Sequence, residues 1–271
     1  LARPLWAAAP ALTIGSRQIE VLGKAATVYG MTGPDGRPGL YRSAGDRFSG
    51  GVLNTTDAGV ITHWHGQVMA PEGQDRAYTG GGELLAGGTD LVDFALTPGT
   101  HWMHAHQLTE QMLMAAPMIT READAEDIQE VVLMLHDFSF QSPEAILKGL
   151  GASMAHDHGA SAMQGMDHAK MNMGGGMAGM VHANDVVYDA YLANDRSLAD
   201  PEVVQVDAGA RVRLRIINGG TATAFWIDPG VLESAVIAVD GSGCAPVSAK
   251  AYPIAQGQRL DLIVTIPAEG G

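Results

Sequence analysis

The sequence predicts an all-β chain made of two sandwich domains. Glycine accounts for 35 of the 271 residues, about twice its average abundance. Valine, isoleucine and threonine recur in short runs separated by turn signals about every ten residues, and helical periodicity is nearly absent. A chain of 271 residues is long enough for two such domains, each with its own core.

Three segments of the first half justify the first sandwich. Residues 59–62 lead as a strand into the sequence HWHG, and residues 91–96 form a strand that Pro98 and Gly99 interrupt before a second histidine pair. Residues 130–138 are almost entirely apolar, which predicts a buried strand that closes this sandwich.

A short helix and a segment of unusual composition follow. Ser142 as a cap, Pro143 at the first helical position and Gly149 as a stop predict a helix over residues 142–149. Residues 151–182 contain seven methionines, four histidines and seven glycines. Because such a segment cannot offset its ordering entropy by burial, we expect a flexible insert between the two domains.

The second half again contains strand patterns, at residues 185–192 and 211–217. Arginine alternates with aliphatic residues over 211–216, which predicts arginines facing water and aliphatics facing the core. We therefore predict a first domain over residues 1–150, the insert over 151–183 and a second, incomplete domain over 184–271.

Two short histidine pairs are the most informative feature of the chain. His63 and His65 form one pair, and His104 and His106 form the other, so that four of the ten histidines share one spacing. Residues i and i+2 of a strand point to the same face about 7 Å apart, so each pair presents two imidazoles side by side. Gly66 follows the first pair, where a metal or a second strand must come close.

The number of imidazoles bears on the kind of metal site. A catalytic zinc usually takes three protein ligands and keeps an open position. Two facing pairs therefore favour a cluster of metals, for which imidazole suits copper, zinc, iron or nickel.

These residues resemble the signature motifs of the multicopper oxidases. Residues 62–67 (THWHGQ) resemble the first copper-binding motif of that family, and residues 99–106 (GTHWMHAH) resemble the second. Residues 111–119 and 211–218 also fit the family, so the resemblance covers most of the chain. It implies two cupredoxin-like Greek-key β-sandwich domains. Met103 departs from the family, which usually carries an aromatic residue at that position.

Carried over by position, the resemblance implies that His63 binds a type 2 copper. It implies that His65, His104 and His106 bind the type 3 pair of a trinuclear, dioxygen-reducing cluster. In the family, the other ligands and the type 1 copper come from a later cupredoxin domain with His-Cys-His and H-x-x-H-x-H motifs, and this sequence contains neither motif. We therefore expect a fragment, truncated before a third domain and inactive alone.

The single cysteine does not replace the missing type 1 site. Cys244 has no histidine within fifty residues, so local spacing cannot supply the thiolate of a blue-copper site. We expect a buried or turn thiol. One cysteine also excludes a disulfide within the chain.

The methionines and histidines of the insert are a second chemical signal. Thioether sulfur selects Cu(I), and imidazole accepts Cu(I) or Cu(II), so the insert is suited to transient copper binding. Similar inserts lie over the type 1 site in relatives that oxidise cuprous ions. Two alternatives stay open: methionine as a generic flexible apolar residue, and a low-complexity linker without function.

Several functions are compatible with these features. The leading hypothesis is a copper oxidase that takes single electrons from a phenol, an amine or a cuprous ion and reduces dioxygen to water. The alternative is a copper-binding or copper-tolerance protein without catalysis. A zinc hydrolase ranks last because the first pair lacks a following Asp-His, and a copper nitrite reductase would need a cysteine in the first domain.

The roles of other polar residues near the pairs are left open. Glu110, Asp90 and Asp93 are candidates for relaying protons, provided that they lie within hydrogen-bond reach of the cluster or one water away. His101 would face away from the ligands on a regular strand, which favours an outer-shell or surface role. His136, flanked by apolar strand residues, is interpreted as structural.

Charge and hydropathy argue against nucleic acid as a partner and against a membrane span. The formal net charge is −14 without a basic run, which makes nucleic acid an improbable partner. No apolar stretch reaches the roughly 20 residues of a membrane span. Residues 5–12 fit the remainder of a signal peptide or the start of a mature chain, and the family resemblance favours a periplasmic or secreted protein. The oligomeric state is left open.

Overall fold

The first half of the chain folds into two four-stranded sheets. The structure, a computed structural model, describes residues 11–80, 82–158 and 186–269. The strands of this half are β1 (Leu12–Val21), β2 (Lys24–Thr32), β3 (Leu40–Ser43), β4 (Arg47–Asn54), β5 (Thr62–His65), β6 (Thr89–Ala95), β7 (Gly99–Ala105) and β8 (Ala115–Arg121). One turn of helix, α1 (Arg76–Thr79), and two 3-10 segments, Glu72–Gln74 and Leu108–Met112, lie between them.

The two sheets pack face to face as the first sandwich. Their strand orders are β2-β1-β4-β6 and β3-β8-β7-β5, and within these two sheets β1 pairs parallel with β4 and β3 pairs parallel with β8. The Phe48 ring packs edge-on against Trp64 and Phe94, with centroids 5.2 and 5.6 Å apart. Because Trp64 points into this core, the alternation of β5 directs His63 and His65 to the opposite face.

The second half forms a larger sandwich. Its strands are β9 (Gln129–Phe138), β10 (Ala190–Ala193), β11 (Arg196–Ser197), β12 (Arg211–Asn218), β13 (Phe225–Ile227), β14 (Glu233–Val239), β15 (Ser242–Val247), β16 (Tyr252–Ile254) and β17 (Arg259–Thr265). Seven of them make one sheet in the order β11-β10-β9-β12-β17-β14-β15, and β13 pairs with β16. Ile216, Leu262 and Ile254 belong to the core between these sheets. The prediction of an all-β chain with two cupredoxin-like sandwiches is confirmed.

Strand β9 lies in a different sandwich from the one predicted. It pairs antiparallel with β10 and parallel with β12, so the prediction that residues 130–138 close the first sandwich is wrong. An apolar run predicts burial but not the partner strand, because pairing depends on residues far along the chain. The predicted domain limits, 1–150, 151–183 and 184–271, otherwise stay a prediction.

The predicted helix begins where expected and extends further. Helix α2 spans Pro143–His158, and the Ala145 N–H donates to Oγ of Ser142 at 3.2 Å, which confirms the Ser142 cap. The predicted stop at Gly149 is wrong, because an interior glycine weakens a helix by only about 1 kcal/mol. Residues 159–185, most of the predicted Met/His-rich insert, lie outside the described residues.

Two arginines of β12 are buried, contrary to the prediction that they face water. Arg213 is 7% exposed and Arg215 is fully buried. Arg215 donates to Glu130 at 2.9 Å, to Glu122 at 2.7 Å and to Oγ1 of Thr100 at 3.0 Å. Since Thr100 belongs to β7, this face of the second sandwich lies against the first sandwich rather than against solvent. The alternation was correct, but the neighbour of the polar face was not predicted.

Glu122 in this buried network is held in its ionised form. Burial opposes ionisation of Glu122, but hydrogen bonds from Arg215 and Arg213 hold the pKa of this carboxyl at about 2. Arg213 and Arg215 also pair with Asp261 on β17, at 2.5 and 3.2 Å. The network therefore joins three strands of the second sandwich to the first.

Cys244 lies on β15, an edge strand of the seven-stranded sheet, and is exposed. The prediction of a buried or turn thiol is therefore wrong. Within the described ranges, no helix has both the length and the apolar character needed to cross a membrane.

Candidate metal centre

The two histidine pairs lie on neighbouring antiparallel strands. In the register of β5 and β7, His63 is directly opposite His104, and His65 is opposite Trp102. The ring centroid of His63 lies 5.2 Å from that of His104, 5.3 Å from that of His65 and 5.7 Å from that of His106. The structure thus brings all four predicted site histidines together on one face of the sheet.

Three of these rings bring nitrogen atoms close to one another. One ring nitrogen from each of His63, His65 and His104 lies within 4.8 Å of the others. Nδ1 of His65 and Nε2 of His104 are buried and have no hydrogen-bond partner among the described residues. A buried polar atom without a partner is costly, and a metal ion would satisfy both nitrogens. His106 is exposed, at the outer side of the group.

A buried carboxylate fixes the orientation of His63. Oδ2 of Asp75 lies 3.0 Å from Nδ1 of His63 and accepts the Trp64 N–H at 3.1 Å, and Oδ1 accepts the Ala77 N–H at 3.2 Å. Burial opposes ionisation of Asp75, but these contacts hold its pKa below the usual range. An ionised Asp75 accepts a hydrogen bond from the Nδ1–H of His63 and leaves Nε2 of His63 free to bind a metal.

Two oxygens surround the corresponding nitrogen of His104. Nδ1 of His104 lies 3.1 Å from the Ala105 carbonyl oxygen and 3.0 Å from Oε1 of Glu110. Both oxygens favour a proton on Nδ1, so the unprotonated nitrogen is Nε2, the same atom that lacks a partner. Of the three acidic residues that the sequence suggested, Glu110 is therefore the one beside the histidines. Asp90 pairs with Arg76, and Asp93 pairs with Arg47.

Aromatic stacking holds two of the rings in place, and burial keeps His65 neutral. The Trp102 ring stacks on His104 with a centroid distance of 4.0 Å and on His65 with a centroid distance of 5.1 Å. Burial, together with the Arg259 cation and the neighbouring histidines, lowers the pKa of His65 to about 3. His65 is therefore neutral at physiological pH, and neutral imidazole is the form that binds metals.

The second sandwich forms one wall of the site. A cleft of about 220 Å³ lies between the sandwiches, lined by the four histidines, Trp102, Glu110, Gly220, Thr221, Gln256 and Gly257. The loop that contains Gly220 and Thr221 is held by Asp137, a buried carboxylate that accepts the backbone N–H groups of Thr221 and Ala222, both at 3.0 Å. The cleft thus has walls from both halves of the chain.

Two other histidines lie outside the group. His101 is buried, and its Nε2 lies 3.1 Å from the Pro98 carbonyl oxygen, so it does not occupy a surface position. His136 is buried on β9, and burial lowers its pKa, which keeps the ring neutral.

The sequence did not single out Asp75, Trp102 or Arg259. Asp75 stands between Gln74 and Arg76, and no spacing rule distinguishes it from other acidic residues nearby. Trp102 was visible only as part of a resembling motif. Arg259 lies 153 residues after His106 along the chain, so only the tertiary fold relates them.

Comparisons with known proteins give one consistent picture. A family model described as multicopper oxidase matches residues 131–271. Copper resistance protein A of Pseudomonas syringae pv. tomato is 25% identical over 279 residues, with 95% of this chain and 46% of the relative covered. Multicopper oxidase MmcO of Mycobacterium tuberculosis is 28% identical over 258 residues, with 90% of this chain and 48% of the relative covered. The chain therefore spans about half the length of these curated relatives.

Solved structures support the fold. A multi-copper oxidase from Pseudomonas thermotolerans matches with a TM-score of 0.70 and 20% identity, with 94% of this chain and 57% of that chain covered. Fet3p, a multicopper oxidase that functions in iron import, matches with a TM-score of 0.71 and 18% identity, with 94% and 45% covered. At these identities the likeness concerns the fold.

Proposed function

Because the chain belongs to the multicopper oxidase family, we propose that it supplies half of the ligands of a trinuclear copper cluster that reduces dioxygen to water. His63 would hold the type 2 copper, and His65, His104 and His106 would hold the type 3 pair. One observation carries this proposal: the two histidine pairs face each other across β5 and β7, and Nδ1 of His65 and Nε2 of His104 are buried without a hydrogen-bond partner in the described part of the chain.

The residues of the site fit copper. The family implies copper cofactors, and neutral imidazole nitrogen is a preferred ligand of copper ions. The donor set of His63, His65 and His104 contains no carboxylate, which does not favour hard cations such as Mg²⁺ or Ca²⁺. When bound, the copper ions would supply the electrons that cleave the oxygen–oxygen bond.

The residues of this chain would bind the copper ions and orient the histidine rings that hold them. Asp75 holds the proton on Nδ1 of His63, and the Ala105 carbonyl with Glu110 holds the proton on Nδ1 of His104. Trp102 stacks on two of the rings and excludes water from one side of them. These contacts limit the rotation of the imidazoles, so that little reorganisation would accompany metal binding.

The proposed activity also needs further copper ligands and an electron donor. Family resemblance suggests that the remaining cluster ligands and the type 1 copper come from a further cupredoxin domain. The electron donor would be a phenol, an amine or a cuprous ion. We also propose a periplasmic or secreted location, which the family resemblance supports.

Replacing His65 or His104 with alanine tests the proposal. We expect either substitution to abolish oxygen consumption by the full-length protein and to lower its copper content, because each removes a ligand with a buried free nitrogen. Oxygen uptake with a phenolic donor and elemental analysis of the purified protein measure the two effects.

Leu108→Ala serves as a control, since this side chain is exposed and lies two residues after His106. It should leave both quantities and the circular dichroism spectrum unchanged. Turnover retained by His65→Ala would contradict the oxidase, and tightly bound zinc without copper would favour a zinc site instead.

A copper-tolerance protein without catalysis is the second candidate. Seven methionines and four histidines over residues 151–182 favour it, as does the similarity to proteins named copper resistance protein A. In this case the methionine and histidine segment would bind the copper, and the histidines of the sandwich would serve as a storage site.

Deleting residues 159–182, which leaves helix α2 intact, separates the two candidates. An oxidase should keep its cluster copper and its oxygen uptake, because the four histidines are untouched. A tolerance protein should lose most of its copper capacity, measured by equilibrium dialysis against cuprous ion. A matched deletion control replaces the same 24 residues, 182 − 159 + 1, with a glycine–serine linker of equal length.

A further inference from the structure

Arg259, the first residue of β17, connects three separate segments at the edge of the histidine cleft. Its residue exposure is 4%. Its Nε donates to the Thr100 carbonyl at 3.3 Å, Nη1 donates to the Gly257 carbonyl at 2.8 Å and Nη2 donates to the Asp240 carbonyl at 3.2 Å. Thr100 belongs to β7, the strand that carries His104 and His106. One guanidinium therefore joins the ligand strand of the first sandwich to two turns of the second.

One of these turns lies directly against the ring of His65. A Cβ added at Gly257 would lie 3.0 Å from Cε1 of His65, closer than ordinary van der Waals contact. The backbone φ at Gly257 is +72°, which also favours glycine. The Arg259 bond to the Gly257 carbonyl thus holds this turn where it limits the movement of the His65 ring.

The guanidinium also lies close to Gly66, the residue that follows His65. A Cβ added at Gly66 would lie 2.8 Å from Nη2 of Arg259 and 2.2 Å from Nδ1 of His101. Gly66 therefore allows the Arg259 side chain of the second sandwich to come close. The sequence predicted a close approach at Gly66, but by a metal or a second strand. His65 is enclosed by the Gly257 turn and by the backbone packed on Arg259.

Oxygen atoms accept from most of the N–H groups of Arg259. Nη1 lies 3.2 Å from Oδ1 of Asp240, and the three carbonyl oxygens accept from Nε, Nη1 and Nη2. Such a cation can hold neighbouring backbone segments together beside a metal site, because oxygen acceptors already bind most of its N–H groups.

We propose that Arg259 is a positioning residue for His65, so that the second sandwich, and not only the two ligand strands, sets the geometry of the copper site. This inference rests on the proposed function, since it requires copper at His65. Arg259 would act through the Gly257 turn and the backbone at Gly66, and not as a metal ligand.

The test compares Arg259→Ala, Arg259→Lys and Gly257→Ala in the full-length protein, with Cu²⁺ as the probe. We expect Arg259→Ala to weaken Cu²⁺ binding by about 10-fold or more in competition with a chelator, the range typical of residues that orient metal ligands. The electron paramagnetic resonance spectrum of the bound Cu²⁺ should change, and Arg259→Lys should restore part of the affinity. Gly257→Ala should weaken Cu²⁺ binding with Arg259 intact. It therefore tests the role of the Gly257 turn if Arg259→Ala does not fold.

Two matched controls separate this role from general destabilisation. Gly209 has a similar φ, +73°, with nothing within 4 Å of an added Cβ, so Gly209→Ala should bind Cu²⁺ as the wild type does. Arg196→Ala removes a surface ion pair of the second sandwich and should also bind Cu²⁺ with wild-type affinity. Against a His65→Ala background, Arg259→Ala should cause no further loss, because its effect passes through His65.

The outcomes are distinguishable. Wild-type affinity and an unchanged spectrum in Arg259→Ala and Gly257→Ala would overturn the positioning role and leave the proposed function intact. A full additional loss in the His65→Ala background would also overturn it. A wild-type protein that binds no Cu²⁺ would instead overturn the proposed function.

Discussion

Replacing Arg215 with alanine is expected to destabilise the protein by about 3–5 kcal/mol, the cost of removing one partner from a buried ion network. Arg215 is fully buried and contacts Glu122, Glu130 and Asp261. Alanine would leave these carboxylates in a site of low polarity with only part of their compensating charge. Urea denaturation, followed by circular dichroism, measures the free energy of unfolding.

Arg47→Ala is the matched control, because Arg47 forms an exposed ion pair with Asp93. We expect it to change stability by about 0–1 kcal/mol.

The buried ion network also makes the stability of the protein depend on pH. Since the folded pKa of Glu122 is about 2 and its ordinary value is 4.5, its contribution is present above pH 4.5 and is lost as the pH falls towards 2. Arg215→Ala should flatten this dependence, and equal slopes in the two proteins would contradict the role of the network.

Asp75→Ala is expected to remove both stability and copper affinity. The substitution leaves Nδ1 of His63 and the N–H groups of Trp64 and Ala77 without their acceptor. Each buried donor left unpaired costs about 1–3 kcal/mol, and loss of a carboxylate that orients a metal-binding histidine typically lowers metal affinity by about 10–100-fold. Urea denaturation and Cu²⁺ competition with a chelator measure the two effects.

Asp93→Ala is the control for Asp75, since its carboxylate is exposed and lies outside the histidine cleft. It should match the wild type in Cu²⁺ affinity. Asp75→Asn should fall between the two, because an amide oxygen can still accept one hydrogen bond but carries no charge. Wild-type Cu²⁺ affinity in Asp75→Ala would show that His63 needs no such orientation.

The placement of both histidines of a pair on one face could be predicted because it depends on local geometry, whereas the approach of the two pairs depends on the pairing of β5 with β7. The strand period of two places both members of a pair on one face, and the apolar Trp64 between His63 and His65 determines which face is buried in the core. The Ser142 cap of α2 was equally local, since it depends on a side chain and the first helical turn.

Features that depend on distant residues were predicted less well. An apolar run in residues 130–138 indicated a buried strand, but its partner β12 begins more than seventy residues later. The alternation in β12 was correct, yet Arg213 and Arg215 face Glu122 and the first sandwich rather than water. Cys244 was expected to be buried or in a turn, and its exposure follows from the edge position of β15.

The sequence by itself determined the all-β class, the strand context of the two pairs and the residue types that would bind copper, because these depend on periodicity and side-chain chemistry over a few residues. Only the tertiary structure decided that Asp75 orients His63, that β9 belongs to the second sandwich and that Arg259 packs beside His65. The contacts of β9 and Arg259 join segments far apart in the chain, and the contact of Asp75 with His63 spans 12 residues across an irregular connection. Their energies depend on burial and hydrogen-bond geometry, which exist only once the strands and sandwiches have packed.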